Sequence, residues 1–486
     1  MHSIKGKRHG AKFVHIHIIW KGIGVLLYIL SLQGCQREAL DRIAPDGNGD
    51  NFMGYYTLTE LGGKLMPPPS LNDINGYTDK ISYEAGQSIN FFLSAPTSGI
   101  RQLNVTNVNN DRNILSFTTN IPTQILTDKK PWENGFGYSQ TFTARLPSQL
   151  KPGIYYLNGT IPFICKNKSK NHDLTVVYPS NTLNAYNWTG GKSLYAPDHE
   201  NRATVVSFLR PLSYPLGYDG AGFLRWIEKQ QYDANYICDE DLDQFEEIRN
   251  SKMVIIIGHS EYWSRNARIN LDKFVESGRN VLILSGNTMW WQVRYNQSKH
   301  LMICYKDSVL DPLQNPLFKT INWYWPNLQF SILQSIGADF RFGGYGDHIT
   351  NRWNGYKITK ANSPILENTG LNNGDILELP SHEYDGTPLV KMLLPGSSEI
   401  PVVNNTLLNF FKIELLGYDF AEDGHLKGVG TFIVFQKRPS SGTVVNVATM
   451  NWCTPGSFNG NNKDRIIQIT GNMINKTLAG HSLFSN

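Results

Sequence analysis

Two short apolar segments, each followed at once by a polar cluster, constrain the fold of this chain more than any other feature. The apolar segments span residues 253–257 and 281–284, and the polar clusters span residues 258–264 and 286–294. Neither segment alternates polar with apolar residues, which is typical of β-strands buried on both faces of a parallel sheet. The sequence therefore predicts two adjacent parallel strands whose ends carry the polar clusters.

A helix is predicted between these two strands. Its N-cap would be Ser264, whose hydroxyl can accept a hydrogen bond from a free backbone N–H, and its end would be at Gly278. The side chains predicted to be buried are Ile269, Leu271, Phe274 and Val275. This order indicates a right-handed parallel crossover, so both polar clusters should lie at the carboxyl edge of the sheet, where open α/β folds bind ligands.

The first 34 residues have the composition of a signal peptide of the bacterial lipoprotein type. Five Lys and Arg residues precede the apolar run 22–32, which is short for a membrane span, and Gly34-Cys35 follows it. The pattern predicts lipidation at Cys35 and an exported protein that is anchored to a membrane of the cell envelope. An uncleaved anchor and an ordinary secretory signal are the alternatives.

The charge balance excludes one class of partner. Without residues 1–34 the chain has 40 Lys and Arg against 41 Asp and Glu, so its basic character comes from the predicted signal peptide. A nearly neutral chain without a basic stripe is not expected to bind nucleic acid. The four remaining cysteines are widely spaced and predict no particular disulfide.

Composition divides the remainder into a tether and two domains. Residues 35–75 are a polar tether that leads into the fold. Residues 76–168 contain short alternating apolar runs between Gly, Pro, Asn and Asp clusters, which predicts an immunoglobulin-like β-sandwich. This sandwich is either a structural spacer or a module whose loops close the site or bind a polymer. Residues 169–486 alternate strands with helices, which predicts an α/β domain with a mostly parallel sheet.

The α/β domain should contain strands at residues 174–178, 234–237, 432–435 and 443–448, besides the two strands described first. Helices are predicted at residues 222–230, 327–336 and 466–474.

Six stretches of the α/β domain carry a resemblance to a known family. They are NAYNWTGGKSLY at 184–195, DEDL at 239–242, GHSEYWS at 258–264, GNTMWWQVR at 286–294, the weaker EYDG at 383–386, and 445–452. In order and spacing they resemble the large (beta) subunit family of N,N-dimethylformamidase, in particular its C-terminal glutamine-amidotransferase-like domain. The resemblance implies a flavodoxin-like, class I glutamine-amidotransferase-like fold and hydrolysis of a non-peptide C–N bond.

The resemblance also implies a mononuclear iron held by two tyrosines and one glutamate. Tyr262 occupies the position of the first ligand, and Glu383 is the best match to the carboxylate. Phenolate and carboxylate are hard oxygen donors suited to Fe(III). Trp290 and Trp291 stand where the second tyrosine would be expected, and an indole cannot bind a metal through its N–H. Tyr295 is an alternative a few residues later. No small-subunit sequence is evident in the chain.

The catalytic residues predicted from the first polar cluster are His259, Glu261 and Tyr262. A histidine just beyond a buried strand can act as acid or base near neutral pH. The alternative is that His259 bonds a loop carbonyl and Glu261 pairs with Arg265 or Arg268. No cysteine or G-x-S-x-G elbow stands at either strand end, which argues against a covalent nucleophile there.

Six residues are predicted to bind substrate: Asn184, Tyr186, Asn287, Trp290, Trp291 and Arg294. Amides can orient a carbonyl or hydroxyl, and adjacent aromatic rings suit sugar faces, acyl groups or aryl groups. Alternatively, one tryptophan is core, Asn287 caps a helix and Arg294 forms a surface ion pair.

Two functions remain open from the sequence. The first is a surface-attached hydrolase of small-molecule amides, with His259, Tyr262 and Glu383 at its centre. The second is a non-catalytic lipoprotein that binds a glycan or another ligand through the tryptophan-rich edge of the sheet.

Overall fold

A computed structural model describes residues 74–107, 112–169, 171–195, 202–212, 220–346, 355–379, 381–391, 393, 397–423 and 426–485. Apart from Arg202, these residues belong to one compact unit. The predicted signal peptide, Cys35 and almost all of the predicted tether lie outside them. Across the described ranges, no helix has both the length and the apolar character needed to cross a membrane.

The N-terminal part is a sandwich of two β-sheets. Its elements are β1 (Asn75–Thr78), β2 (Ser82–Glu84), β3 (Ser88–Ser94), β4 (Gly99–Asn107), β5 (Asn113–Ile121), α1 (Pro131–Asn134), β6 (Phe142–Arg145), β7 (Gly153–Leu157) and β8 (Ile161–Lys166). One sheet has the order β1-β3-β6 and the other β2-β8-β7-β4-β5. Phe91 of the first sheet contacts Phe163 of the second edge to face, with ring centroids 6.3 Å apart. The two sheets thus share one core, as expected of the predicted sandwich.

The second part is built on a larger sheet. Its first elements are β9 (Leu174–Tyr178), α2 (Ser180–Tyr186), β10 (Val205–Ser207), α3 (Ala221–Gln230), β11 (Ala234–Cys238), β12 (Met253–Gly258), β13 (Tyr262–Ser264), α4 (Arg265–Glu276), β14 (Asn280–Ser285), β15 (Trp291–Tyr295) and β16 (Leu301–Ile303). The later ones are α5 (Ile332–Ile336), β17 (Asp339–Tyr345), β18 (Tyr356–Ile358), β19 (Ile376–Leu377), β20 (Glu383–Gly386), α6 (Asn405–Leu408), β21 (Lys412–Asp423), β22 (Leu426–Gln436), β23 (Thr443–Asn446), α7 (Pro455–Asn459) and α8 (Lys463–Leu478).

Within the described residues, nine strands form the large sheet in the order β11-β9-β12-β14-β23-β22-β21-β18-β19. The first five are mutually parallel, and the remaining pairings are antiparallel. The prediction of a mostly parallel sheet is therefore correct for one half only. The other half is dominated by the long hairpin β21–β22, whose first strand carries five charged residues and lacks the apolar run that identified the parallel strands.

The strand-helix-strand unit predicted first is confirmed. Strands β12 and β14 pair in parallel from Met253↔Asn280 to Gly258↔Ser285. Ile255 faces one core cluster and Ile256 the other, so the strand is buried on both sides. Ser264 caps α4 by accepting a hydrogen bond from the backbone N–H of Ala267 at 3.0 Å.

Two details of the predicted helices are wrong. Ile269 is 45% exposed, and the neighbouring Arg268 is buried in its place. The buried residues of α4 follow the spacing 268, 271, 275, which leaves position 269 outside the apolar stripe. The helix predicted at 327–336 is shorter, because Pro326–Leu328 forms a 3₁₀ turn and Gln329 adopts a left-handed conformation before α5 begins.

Candidate functional site

The order of the parallel strands places a crevice between β9 and β12. Numbered along the chain, the five parallel strands lie in the order second, first, third, fourth, fifth. The connection that leaves β9 leads to β11 on one side, whereas β12 and later strands lie on the other side. At such a reversal the loops separate at the carboxyl ends of the strands and leave room for a ligand. Helix α2 follows β9, and His259 follows β12, so both border this crevice.

His259 is the centre of a polar cluster in the crevice. Its Nδ1–H donates to the backbone carbonyl of Gly286, the first residue after β14, at 3.1 Å. A carbonyl can only accept, so Nδ1 carries a proton and Nε2 is the nitrogen that faces the cluster. Nε2 lies 3.3 Å from the hydroxyl of Tyr186, 3.4 Å from Oε2 of Glu261 and 3.5 Å from Oε2 of Glu383.

Glu261 and Tyr186 are hydrogen-bonded to each other within the cluster. The Tyr186 hydroxyl donates to Oε2 of Glu261 at 2.9 Å, and the backbone N–H of Glu261 donates to Oγ1 of Thr182 at 2.9 Å. Burial raises the pKa of Glu261, but His259, Lys306 and the Tyr186 hydroxyl outweigh it, so the net shift is downward. Burial, followed by the charge of Glu261, raises the pKa of Tyr186 well above its ordinary value. Glu261 is thus an anion and Tyr186 a neutral phenol.

Glu383 enters the cluster from β20, far along the chain. Strand β20 passes close to the end of β14, where a Cβ on Gly286 would lie 2.7 Å from the carbonyl oxygen of Glu383 and 2.5 Å from the backbone nitrogen of Met450. A side chain at 286 would push β20 away. The glycine therefore lets two buried carboxylates approach the same imidazole.

Tyr262 lies in the wall of the cluster, beside Trp291. The two residues are direct partners in the parallel pair β13–β15. The ring of Tyr262 meets that of Tyr186 edge to face at 6.4 Å. The ammonium of Lys306 lies 4.5 Å from the ring centroid of Trp291, 5.1 Å from that of Tyr262 and 5.5 Å from that of Tyr195. Sequence reasoning missed Lys306, because a lone lysine outside any motif gives no signal.

Two buried polar residues follow the groups that contact His259 along the chain: Asn287 comes directly after Gly286, and Asp385 lies two residues after Glu383. Asn287 is 4% exposed with a φ of 48°, and its Oδ1 has no hydrogen-bond partner among the described residues. Asp385 accepts a hydrogen bond from the backbone N–H of Thr288 at 3.1 Å. Burial raises the pKa of Asp385 to about 8. A buried acceptor without a partner is available to a donor on a ligand.

Three of the predicted substrate-binding residues contact other groups. Asn184 accepts hydrogen bonds from the guanidinium of Arg210, at 3.3 Å from Nε and 3.1 Å from Nη2. Arg294 forms a bidentate ion pair with the buried Asp311 at 2.7 and 3.0 Å. Trp290 packs against Tyr324 and Phe340, with ring centroids 5.2 and 5.4 Å away.

The alternative tyrosine ligand also lies elsewhere. Tyr295 exchanges hydrogen bonds with the side chain of Asn181, at 2.7 and 3.0 Å. The second tyrosine beside Tyr262 is instead Tyr186, which comes from α2 and not from the end of β14.

The donor types in the cluster suit the iron that the resemblance implies. One phenol and two carboxylates meet around Nε2 of His259, and Tyr262 beside Tyr186 supplies a second phenol. All of these are hard oxygen donors. Elsewhere in the described ranges, as here, no group of three or more His, Cys, Asp or Glu side chains has the arrangement of a metal site. A metal ion in this crevice would therefore need a tyrosine among its ligands.

Comparison with known proteins bears on this cluster. The family model described as N,N-dimethylformamidase beta subunit-like, C-terminal, matches residues 104–461. The match includes β9, α2 and every residue of the polar cluster. No curated protein matches the chain. Because the matched region covers well over half of the sequence, the chain belongs to the N,N-dimethylformamidase beta subunit-like family.

Proposed function

We propose that this protein hydrolyses non-peptide C–N bonds of small-molecule amides. One observation carries the proposal, namely that Tyr186, Glu261 and Glu383 converge on Nε2 of His259 at the reversal of strand order. General acid–base catalysis needs titratable groups that lie within hydrogen-bonding distance of one another in a crevice. The family supplies the reaction class, because it is named for an amidase.

The residues divide the work of amide hydrolysis among them. The Glu261–His259 pair accepts a proton from water as its oxygen bonds to the amide carbon. The C–N bond then breaks, and the same pair returns a proton to the departing amine nitrogen, which yields a carboxylic acid and an amine. Oδ1 of Asn287 orients a donor group of the substrate, while Tyr262 and Trp291 wall the crevice against water.

An iron ion fits the same proposal. Tyr186, Tyr262 and Glu383 would hold it, while Glu261 stays with His259. When bound, such a metal ion polarises an amide carbonyl or lowers the pKa of a water molecule. Metal analysis of Tyr186→Phe and Tyr262→Phe tests this assignment, because the replacement of either ligand should lower the iron content.

The test of the hydrolase proposal is a panel of formamides and other small amides, assayed by release of the amine. The wild type should hydrolyse at least one of them, and His259→Asn or Tyr186→Phe should lower kcat/KM by about 10²- to 10⁴-fold. Tyr295→Phe is the matched control, since it removes a buried tyrosine hydroxyl outside the cluster. A wild type that releases no amine from any member, with or without added iron, would count against the proposal.

The family and the strand order together support a finer description of the fold. The strand order second, first, third, fourth, fifth supports a flavodoxin-like, class I glutamine-amidotransferase-like arrangement of the parallel half.

Residues 1–35 support an exported lipoprotein anchored in the cell envelope. A Cys35→Ala variant should lose labelling by radioactive palmitate and leave the membrane fraction. Labelling that survives the substitution would contradict lipidation at Cys35.

A second function has one specific observation in its favour. Trp325 is 45% exposed and stacks on Tyr324, with ring centroids 5.9 Å apart, and Tyr324 packs on Trp290. Such an exposed row of rings suits a glycan or another extracellular ligand. Binding on a glycan array that is lost in Trp290→Ala would support this function. An array without binding would leave it without support.

A further inference from the structure

A cavity of about 350 Å³ lies between the β-sandwich and the carboxyl ends of β9 and β11. Its mouth includes the exposed residues Lys80 and Gln87 of the sandwich. Its floor includes the buried side chains of Tyr178, Leu183 and Asn184. Its volume lies at the lower end of the range of ligand pockets, and its place between two packed domains is one that ligand sites favour.

Helix α2 separates this cavity from the His259 cluster. Thr182 and Tyr186, one helical turn apart, bond Glu261 on one face of the helix. Ser180, Leu183 and Asn184 line the cavity on the other side. The cavity is therefore a second chamber, and none of the residues assigned to the hydrolytic cluster lines it.

One buried donor at the floor of the cavity lacks a partner. Arg210 carries only donors, so the Asn184 side chain must turn its carbonyl oxygen toward the guanidinium. The amide Nδ2 is thereby fixed on the opposite side. Asn184 is 2% exposed, and this Nδ2 has no hydrogen-bond partner among the described residues. A buried amide without a partner is satisfied when a ligand brings an acceptor.

Basic and acidic side chains line the cavity in equal number, and several of them are already paired. The lining has Lys80, Lys166, Arg210 and Lys299 against Asp79, Glu84, Glu240 and Asp241. Lys166 lies 2.7 Å from Asp241 and 3.2 Å from Glu247, and Lys299 lies 3.6 Å from Glu240. The guanidinium of Arg210 is surrounded by backbone carbonyl oxygens and the Asn184 side chain. Because the two signs balance, an ionic ligand would meet like charges as well as opposite ones, and it would have to displace an existing pair to reach the buried Lys166 or Asp241.

Apart from these charged side chains, the lining is mixed in polar and apolar character. It offers the hydroxyls of Thr78, Ser82 and Ser298 together with the half-buried ring of Phe208. Hydroxyl and amide groups beside an aromatic ring suit a ligand with many hydroxyls and an apolar ring face. We propose that this cavity binds a neutral saccharide whose hydroxyl or carbonyl oxygen accepts from Nδ2 of Asn184. The proposal does not rest on the hydrolase function, because no residue of the hydrolytic cluster lines this cavity.

Titration calorimetry and saturation-transfer NMR on the full chain test the proposal. The probes are glucose, N-acetylglucosamine and cellobiose, with glucuronate and glucosamine as charged counterparts. We expect saturable binding of at least one neutral sugar and at least about tenfold weaker binding of the charged ones.

Two variants locate the binding. Leu183→Trp fills the floor and should abolish it, whereas Leu407→Trp makes the same change at a residue that is 55% exposed outside the cavity. Asn184→Asp retains the acceptor for Arg210 but replaces the free donor by an oxygen, and should weaken binding about tenfold. This second variant decides the matter if Leu183→Trp does not fold.

Several results would overturn the inference. They are no saturable binding of any neutral sugar, tighter binding of a charged sugar, or unchanged affinity in both Leu183→Trp and Asn184→Asp. Tyr186→Phe should keep the sugar affinity of the wild type while amide hydrolysis falls, because its hydroxyl lies on the other side of α2. Loss of hydrolysis therefore leaves the saccharide site standing, and loss of sugar binding leaves the hydrolase standing.

Discussion

Replacing Asp311 by asparagine tests whether the ion pair of Asp311 with Arg294 stabilises the folded protein. Arg294 was predicted to bind substrate, but its guanidinium makes a bidentate pair with a carboxylate whose side chain is 0% exposed. Asp311 also accepts hydrogen bonds from the backbone N–H and the hydroxyl of Thr320, each at 2.8 Å. An asparagine would present an amide N–H₂ to some of these donors.

The size of the effect follows from the pKa of Asp311. Burial raises this pKa, but the hydrogen bonds from Arg294, Thr320 and Leu313 outweigh it and lower it from 3.8 to about 2. A shift of this size corresponds to about 2.4 kcal/mol, which we reduce to about 2 kcal/mol because the Arg294 side chain is 20% exposed and the pair is therefore partly screened by solvent. A lowered carboxylate pKa stabilises the folded state above about pH 4, and this contribution disappears as the pH falls toward 2.

Urea denaturation followed by tryptophan fluorescence measures this contribution. At pH 7 Asp311→Asn should unfold with about 2 kcal/mol less free energy than the wild type, and the gap should shrink by about half at pH 3. Glu399→Gln is the matched control, since its pair with Lys391 is exposed on both sides and should cost under about 1 kcal/mol. A gap below 0.5 kcal/mol at pH 7, or one that does not change with pH, would refute the reasoning.

Three further perturbations have defined outcomes. Burial raises the pKa of Asp239 to about 8, so the folded state holds a proton that the unfolded chain releases above about pH 4. Asp239 should therefore lower the stability of the wild type between pH 6 and pH 8 by up to about 1.4 kcal/mol per pH unit, and the fall of stability with pH should be smaller by this amount in Asp239→Asn. The buried guanidinium of Arg268 lies between two aromatic rings and donates hydrogen bonds to the carbonyl oxygens of Phe330 and Ser331 and to the hydroxyl of Ser335. Arg268→Met should therefore lower the free energy of unfolding, measured by urea denaturation, by about 3 kcal/mol. Ile269→Ala, at the exposed neighbouring position, should change stability by less than about 0.5 kcal/mol. Gly222→Ala should cost about 1–3 kcal/mol by the same measurement, because its Cβ would lie 2.2 Å from the carbonyl oxygen of Thr454, and an unchanged midpoint would contradict this packing.

The parallel half of the sheet was predictable because each of its strands can be recognised from a few consecutive residues. Strand β9 has the predicted bounds, and β12 and β14 extend the predicted segments by one or two residues. An apolar run without alternation is a pattern of a few consecutive residues, and a serine N-cap is another such local pattern. Strands β13 and β15 were not predicted, because polar and aromatic residues in motifs conceal the short pairing of Tyr262 with Trp291.

The site was predictable in its location but not in its contacts. His259 and Glu261 follow β12 directly, so the edge of the sheet could be inferred from the sequence. That Tyr186 rather than Asn184 joins them depends on which face of α2 each residue occupies, and a helix of seven residues has too little periodicity to show this. The approach of Glu383 depends on the packing of β20 against Gly286, a contact across about a hundred residues that no local pattern encodes.

The carbonyl of Gly286 has a consequence for how the crevice can change. Because the acceptor of the Nδ1 proton of His259 is a main-chain atom, no side-chain replacement can delete it. Position 286 itself has no room for a larger residue, since a Cβ would collide with Met450. The backbone bond to Nδ1 therefore leaves Nε2 as the ring nitrogen that can accept and release a proton in the crevice. Substitutions can change the side chains around Nε2, and with them the reaction that the crevice supports, while the main-chain bond keeps the orientation of the ring.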